Sequence, residues 1–364
     1  MTTTTKLKLN LGPQHPSTHG VLRLILELEG EKILSCEPDI GYLHRGMEKM
    51  AEKMNYIQYL PCVDRIDYLA GFFYSQLLCN IVEEALNVTL PDKVRAIRVM
   101  LLELNRIASH LLWIGMFMMD LGAVSPFFYT FREREMILRF FERLTGQRMM
   151  YNYFQFGGVR RDIEYLEDVE VILSILPEKL DDYEKLITEN PIVLKRTVGK
   201  GILTKEKAFN YSITGVNLRA SGVDLDFRNQ DSLYKGFDFR TIVMDEKDSW
   251  ARYKARISEI KESMNIIYQA LEYLKKSGKL EQKLINPLNL KLPEGEYFSQ
   301  IEAPRGLASC YIKSDGSDKP YRLKWRTGSY YSVNLLRELL VGEYLNDAIA
   351  IAGSLDIILP EVDK

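Results

Sequence analysis

The stretch "PDKVRAIRVMLLELNRIASHLLWIGMFMMDLG", residues 91 to 122, constrains the fold more than any other. Pro91 stands where a helix would start, Gly122 where one would stop, and no proline intervenes, so the pattern predicts one helix of roughly 30 residues, about 45 Å long. Its second half is apolar nearly all round, which places it through the centre of a bundle rather than on a surface. Asp120 interrupts "HLLWIGMFMMDLGAV", and the run falls short of a membrane span. The chain of 364 residues is long enough to bury a large core around such a helix.

The segments on either side predict an α+β protein, a central long-helix bundle with an antiparallel β hairpin at each end. Residues 1–40 alternate: Leu7, Leu9 and Leu11, then Leu22, Leu24, Leu26 and Leu28. They predict an N-terminal hairpin whose loop, "GPQHPSTHG", cannot be helical because of Pro13 and Pro16. Residues 41–190 predict a helical core, with a helix from near His44, one or two helices over 55–86 interrupted at Pro61, and others near 127–146 and 162–188. Residues 191–245, Gly-rich with short apolar runs, predict a mixed strand and loop insertion. Helix resumes within 246–280, and 281–364 predict a second hairpin around "SDGSDKP" and short helices.

Net charge is −2 with 27% charged residues, which excludes a general nucleic-acid binder, since neutralising phosphates needs clustered surplus Lys and Arg. The cysteines Cys36, Cys62, Cys79 and Cys310 form no CxxC pair, so neither a zinc knuckle nor an iron–sulfur site is expected in this chain. There is no GxGxxG fingerprint after a strand, and the opening "TTTT" has no apolar signal region.

Chemistry-bearing residues concentrate early. All four histidines, His15, His19, His44 and His110, lie in the first third. In "LPCVDRIDYLAG", Asp64 and Tyr68 are four apart, predicting a shared helix face with Asp67 beside them. Each has an ordinary structural alternative: His15 and His19 as loop residues, His110 as a hydrogen-bonded core histidine, Tyr68 as a half-buried core tyrosine, Asp120 as a cap.

Taken in order, "GPQHPSTHGVLRL", "IGYLHRGMEK", "YLPCVDRIDYL", "LLELNRIASHLL", "DLGAVSPFFYTFREREMI", "GGVRRD", "IEAPRG", "SDGSDKPYRLKWR" and "GSLDIILPEVDK" resemble the quinone-site D subunit of NADH:quinone oxidoreductase, respiratory complex I. The wording around "CEPDIGYLHRGMEKMAE" is similar to the H subunit of the cyanobacterial and plastid NDH-1 type. The family is related to the nickel–iron hydrogenase large subunit, whose metal is held by two CxxC pairs; the matching positions here contain no cysteine. The resemblance implies a hydrogenase-large-subunit-like fold, quinone as substrate, no redox centre in this chain and a 4Fe-4S cluster in the partner. It implies partnership with the B-type iron–sulfur subunit, the C-type subunit and the membrane H-type subunit, on the cytoplasmic, stromal or matrix side of an energy-transducing membrane. By motif, His19 and Tyr68 match the quinone headgroup ligands, Asp120 the carboxylate that pairs with the histidine, and His44 and Arg45 a segment facing the partner's cluster.

The chemistry is consistent with those residue types. A quinone offers two carbonyl acceptors on opposite sides of its ring, so two facing donors position it, and reduction builds charge that such donors stabilise. Departures from the family pattern are Leu307 after "PRG", Asp224 and Leu225 in "GVDLDFRN", and Pro360 and Lys364 in the ending "PEVDK". The rival expectation is a divergent scaffold subunit without quinone chemistry.

Overall fold

The computed structural model describes residues 6–15, 20–286 and 289–364. The fold is α+β, as the two periodicities predict. Strands β1 (Lys6–Leu11), β2 (Gln14–His15), β3 (Gly20–Val21), β4 (Arg23–Glu29) and β5 (Lys32–Asp39) open the chain. β1, β4 and β5 form an antiparallel sheet in that order, with Leu9 opposite Leu26 and Leu11 opposite Leu24. Its inner face buries Leu22, Leu24, Leu26 and Leu28, the residues picked out by alternation. β2 pairs with β3 in a short ribbon at the end of this sheet. His19, expected as a quinone ligand, falls between these two strands and outside the described residues.

Helices α1 (Met47–Ala51), α2 (Tyr56–Val63), α3 (Gly71–Ala85), α4 (Asp92–Asp120) and α5 (Ser125–Thr145) build the bundle. The first starts later than expected because Gly46 sits at φ 63°, a left-handed turn that leaves His44 and Arg45 in a loop. Pro61 does not interrupt α2, whose entry is fixed by a capping box between Asn55 and Gln58. The break comes at residues 64–70, which form turns. Asp64 and Tyr68 therefore do not share a helix face: Asp64 turns inward to accept from Ser75 Oγ at 2.6 Å, whereas Tyr68 points elsewhere.

Beyond the small ribbon β6 (Phe154–Gln155) and β7 (Gly158–Val159), α6 (Leu166–Tyr183) runs into a π-helical turn at Glu184–Thr188. Residues 191–245, expected to include strands, instead form the short helices α7 (Pro191–Thr197), α8 (Lys205–Asn210) and α9 (Gly215–Arg219) joined by turns. Local caps decide this: the side chains of Asn190 and Thr204 accept backbone N–H groups at the starts of α7 and α8. The long α10 (Ser249–Lys276) then returns along α4. Strands β8 (Gly295–Ala303), β9 (Gly306–Ser314) and β10 (Arg322–Arg326) make the C-terminal antiparallel sheet, and α11 (Gly328–Leu339), α12 (Leu345–Ser354) and α13 (Leu359–Val362) close the chain.

α4 and α10 do not meet through apolar side chains alone. Glu103, Arg106 and His110 on α4, and Arg252, Arg256, Glu259 and Ser263 on α10, recur at helical spacing and are all buried. Arg219 and Arg228 enter between them from the 191–245 segment. Arg219 reaches Glu259 and Glu302 at 2.6 Å each, and Arg228 reaches Asp226 at 2.7 Å and Glu259 at 2.9 Å. Glu103 accepts from Ser263 and Tyr234, both at 2.6 Å. Burial would raise the Glu259 carboxyl, but Arg219 and Arg228 hold it well below the usual carboxylate range. His110 Nε2 lies 2.7 Å from Glu259, and burial lowers the pKa of its ring. It is a hydrogen-bonded core histidine, the structural alternative raised from the sequence.

Candidate functional site

Where the N-terminal sheet meets the bundle, the chain forms a partly open cavity of about 250 Å³. One wall is Leu11, Leu22 and Leu24; another is Leu112, Trp113, Met116 and Phe117 of α4; the third is Ala348, Ala352 and Gly353 of α12, continuing to Ile357 and Ile358. Small residues on α12 leave the space open. Trp113 is fixed by donating from Nε1 to the Gly353 carbonyl at 2.8 Å and by stacking on Phe117. At that volume, below the roughly 300–1,000 Å³ of pockets for whole drug-sized ligands, the cavity suits a single ring rather than a ring with a long tail.

Among the described residues, Tyr68 and Asp356 bring hydroxyl and carboxyl groups to this lining. Tyr68 is half-buried in the turns that end α2. Burial raises its phenol, Asp67 adds to the effect and Arg305 opposes it, so at neutral pH it remains an O–H donor. Asp120, at the end of α4, borders the same wall: a side-chain carbon on Gly353 would lie 3.1 Å from Asp120 Oδ2. The structure thus places Tyr68 in the cavity lining and Asp120 against Gly353 of one wall, outside the lining itself. His44 and Arg45 lie elsewhere, on an exposed loop docked to the chain end. Arg45 donates to the Arg65 carbonyl at 2.8 Å, and the Asp363 carboxylate accepts from the backbone N–H of Gly41 and Leu43 at 2.9 Å.

Behind the cavity lies a group that sequence reasoning missed. Arg305, in the tight turn between β8 and β9, pairs with Asp67 at 2.7 Å and with Asp356 at 3.5 Å, and donates to Ser109 Oγ at 3.0 Å. Asp356 also faces Arg256 at 3.9 Å. The signal for it was a charged residue inside each motif, Asp67 as the third in "DRIDY" and Arg305 as the one in "APRG", neither of which has a surface pattern around it.

The Arg305 turn is seated against two glycines. A Cβ on Gly328 would stand 2.2 Å from the Arg305 carbonyl oxygen, and one on Gly215, at φ +68°, 2.3 Å from Gly306 Cα. Gly328→Ala is expected to destabilise the protein by about 1–3 kcal/mol through overpacking, seen as an earlier midpoint of thermal inactivation of the assembled complex. An unchanged midpoint would show that the turn has room to give.

A larger and more polar cleft, about 760 Å³, is lined by Glu83, Glu84, Asp231 and Gln300 among others and holds none of the expected site residues. Among the described residues no helix is long and apolar enough to cross a membrane, and no cluster of His, Cys, Asp and Glu is arranged to hold a metal ion.

The helical bundle between two antiparallel sheets carries an apolar cavity bearing a tyrosine, and comparison with known proteins gives its class. Residues 120–287 and 282–364 match the family described as the 49 Kd subunit of respiratory-chain NADH dehydrogenase, and the chain belongs to that family. It is 47% identical over 367 residues, covering 100% of both chains, to the D subunit of NADH-quinone oxidoreductase from Geobacillus kaustophilus (strain HTA426) and equally to that from Geobacillus thermodenitrificans (strain NG80-2). The corresponding protein of Bacillus mycoides (strain KBAB4) is 45% identical, again over 100% of both chains. The chain is therefore a subunit of an oxidoreductase complex of the complex I type, associated with a membrane and working with the complex's other subunits.

Proposed function

We propose that this chain forms, with an iron–sulfur partner of the B type, the chamber in which quinone is reduced to quinol within a proton-translocating NADH (or ferredoxin):quinone oxidoreductase. The observation that carries the reading is the apolar cavity of about 250 Å³ with Tyr68 in its wall and Asp120 at its edge. Apolar walls hold the ring, and once the partner covers the open side a donor inside acts at low dielectric, where it stabilises developing charge most. Tyr68 supplies one O–H to a quinone carbonyl. His19 supplies the other, and the Asp120 carboxylate favours the charged form of that histidine. Electrons come from the partner's 4Fe-4S cluster, and this chain binds no redox centre itself. His44 and Arg45, held by the chain end, face that partner, with a C-type subunit and a membrane H-type subunit as further neighbours.

The reading is tested by filling the cavity. Ala352→Phe places a ring in it and is expected to raise the quinone KM at least tenfold or abolish quinone reduction, in membranes where NADH oxidation by an artificial acceptor and the amount of assembled complex are unchanged. An unaltered KM in assembled complex would sink it.

A further inference from the structure

Trp113 is the largest side chain in the cavity wall, and its flat ring sets a width only if the ring cannot turn. Three contacts hold it. Nε1 donates to the Gly353 carbonyl at 2.8 Å, Phe117 stacks on the ring with centroids 5.0 Å apart, and the guanidinium carbon of Arg256 stands over the ring, 4.2 Å from its centroid. Arg256 comes from α10 and is fully buried outside the cavity lining. A cation over an indole face is drawn to the negative π cloud, most strongly where water is absent.

The same guanidinium also grips the end of α12. The carbonyls that end this helix lack a following turn, and each is met from outside it. Gly353 is met by Trp113; Ser354 accepts from Arg256 Nη1 at 3.4 Å; Leu355 accepts from Asn217 Nδ2 at 3.0 Å. Asn217 is itself oriented by Arg256, whose Nη2 donates to its Oδ1 at 3.2 Å. Next comes Asp356, at φ 57° in the left-handed turn that closes the helix, with Oδ2 3.9 Å from Arg256 Nε. Residues 353–356 are thus fixed one after another, and Gly353 and Asp356 among them line the cavity.

Resting on the quinone reading, we propose that Arg256 is a positioning residue for that substrate: touching no quinone itself, it locks Trp113 of α4 against the end of α12 and so fixes the width of the seat for the ring. Arginine suits this task and lysine does not. One planar guanidinium presents its face to the indole while its edge donates to Ser354 and Asn217; an ammonium would keep the charge near Asp356 and lose the plane and the fork. Without the guanidinium the indole keeps its bond to Gly353, but that carbonyl then belongs to a loosened helix end, and both walls shift together. A ring held by apolar contact loses affinity when its walls part. Tyr68, on the turns after α2, keeps its place, so binding weakens while the rate at saturation is spared.

The test is the steady-state kinetics of NADH oxidation by a short-chain quinone in membranes carrying the assembled complex. Arg256→Lys is expected to raise quinone KM roughly fivefold or more with kcat within about twofold of native, since a misplaced wall acts on binding. Trp113→Leu raises KM as well, and adding Arg256→Lys to it raises KM by less than about twofold further, because the ring through which the arginine acts is gone. A native KM in assembled Arg256→Lys, or effects of the two substitutions that multiply, would overturn the proposal. Should Arg256→Lys not assemble, Trp113→Phe, which keeps a ring but gives up the bond to Gly353, is expected to raise KM about threefold or more, and a native KM there would equally overturn it. If Ala352→Phe raises KM while Arg256→Lys keeps the native value, the positioning role alone is wrong; if Ala352→Phe is also without effect, the quinone reading falls with it.

Discussion

Tyr68→Phe is expected to leave the complex assembled and quinone reduction at least a hundredfold slower, with electron transfer to an artificial acceptor intact. The substitution removes one oxygen from a half-buried ring and none of its packing, so the fold has little to lose. What it removes is the phenolic O–H in the wall of an apolar cavity. A single donor aimed at a developing oxyanion contributes about 100- to 1,000-fold to a rate. The measurement is NADH:quinone reductase activity in membranes, with a native gel to count assembled complex. Undiminished activity would mean that the tyrosine is an ordinary wall residue, and the scaffold expectation would move ahead.

Arg219→Met should act on stability instead, and severely. Arg219 is fully buried and is the 2.6 Å partner of both Glu259 and Glu302. Burial first raises the Glu302 carboxyl, and the nearby Asp226 adds to this against the pull of Arg219. Removing one partner of a buried ion pair costs about 3–5 kcal/mol, because the charge left behind is unpaired. The expected result is loss of assembled complex on a native gel at growth temperature, with partial recovery in Arg219→Lys. Normal assembly of Arg219→Met would show that water enters the cluster and replaces the guanidinium.

The skeleton was legible because it follows periodicity. Alternation marked Leu22 to Leu28 as an inner sheet face, and the run from Pro91 to Gly122 marked α4 almost to the residue. At 64–70 the four-residue spacing predicts a helix face, whereas the chain turns there, with Tyr68 in the cavity lining and Asp67 buried against Arg305. The strands expected in 191–245 lost to capping by Asn190 and Thr204, a local hydrogen-bond effect stronger than short apolar runs. At the site, Tyr68 and Asp120 stand out as motif residues with a role, whereas Asp356 and Arg305 lie inside motifs without one, since their partners lie far along the chain. Arg305 meets Asp67 across 238 positions. Nothing local announces a buried ion pair of that kind. The charged stripes of α4 and α10 are interior because each helix, with Arg219 and Arg228, supplies the other's partners.

The cavity's walls come from Leu11, Leu22 and Leu24, from Tyr68 and Leu69, from α4 between Leu112 and Phe117, and from residues between Ala348 and Ile358, and Asp363 secures the loop at Gly41 and Leu43. During synthesis the first wall leaves the ribosome hundreds of residues before the last. For most of its translation the chain has an exposed apolar half-site, and chaperones are the natural holders of such a surface. The pocket closes only when the residues after α12 are released. A ribosome that stops early thus yields a chain with most of its helices and no complete cavity.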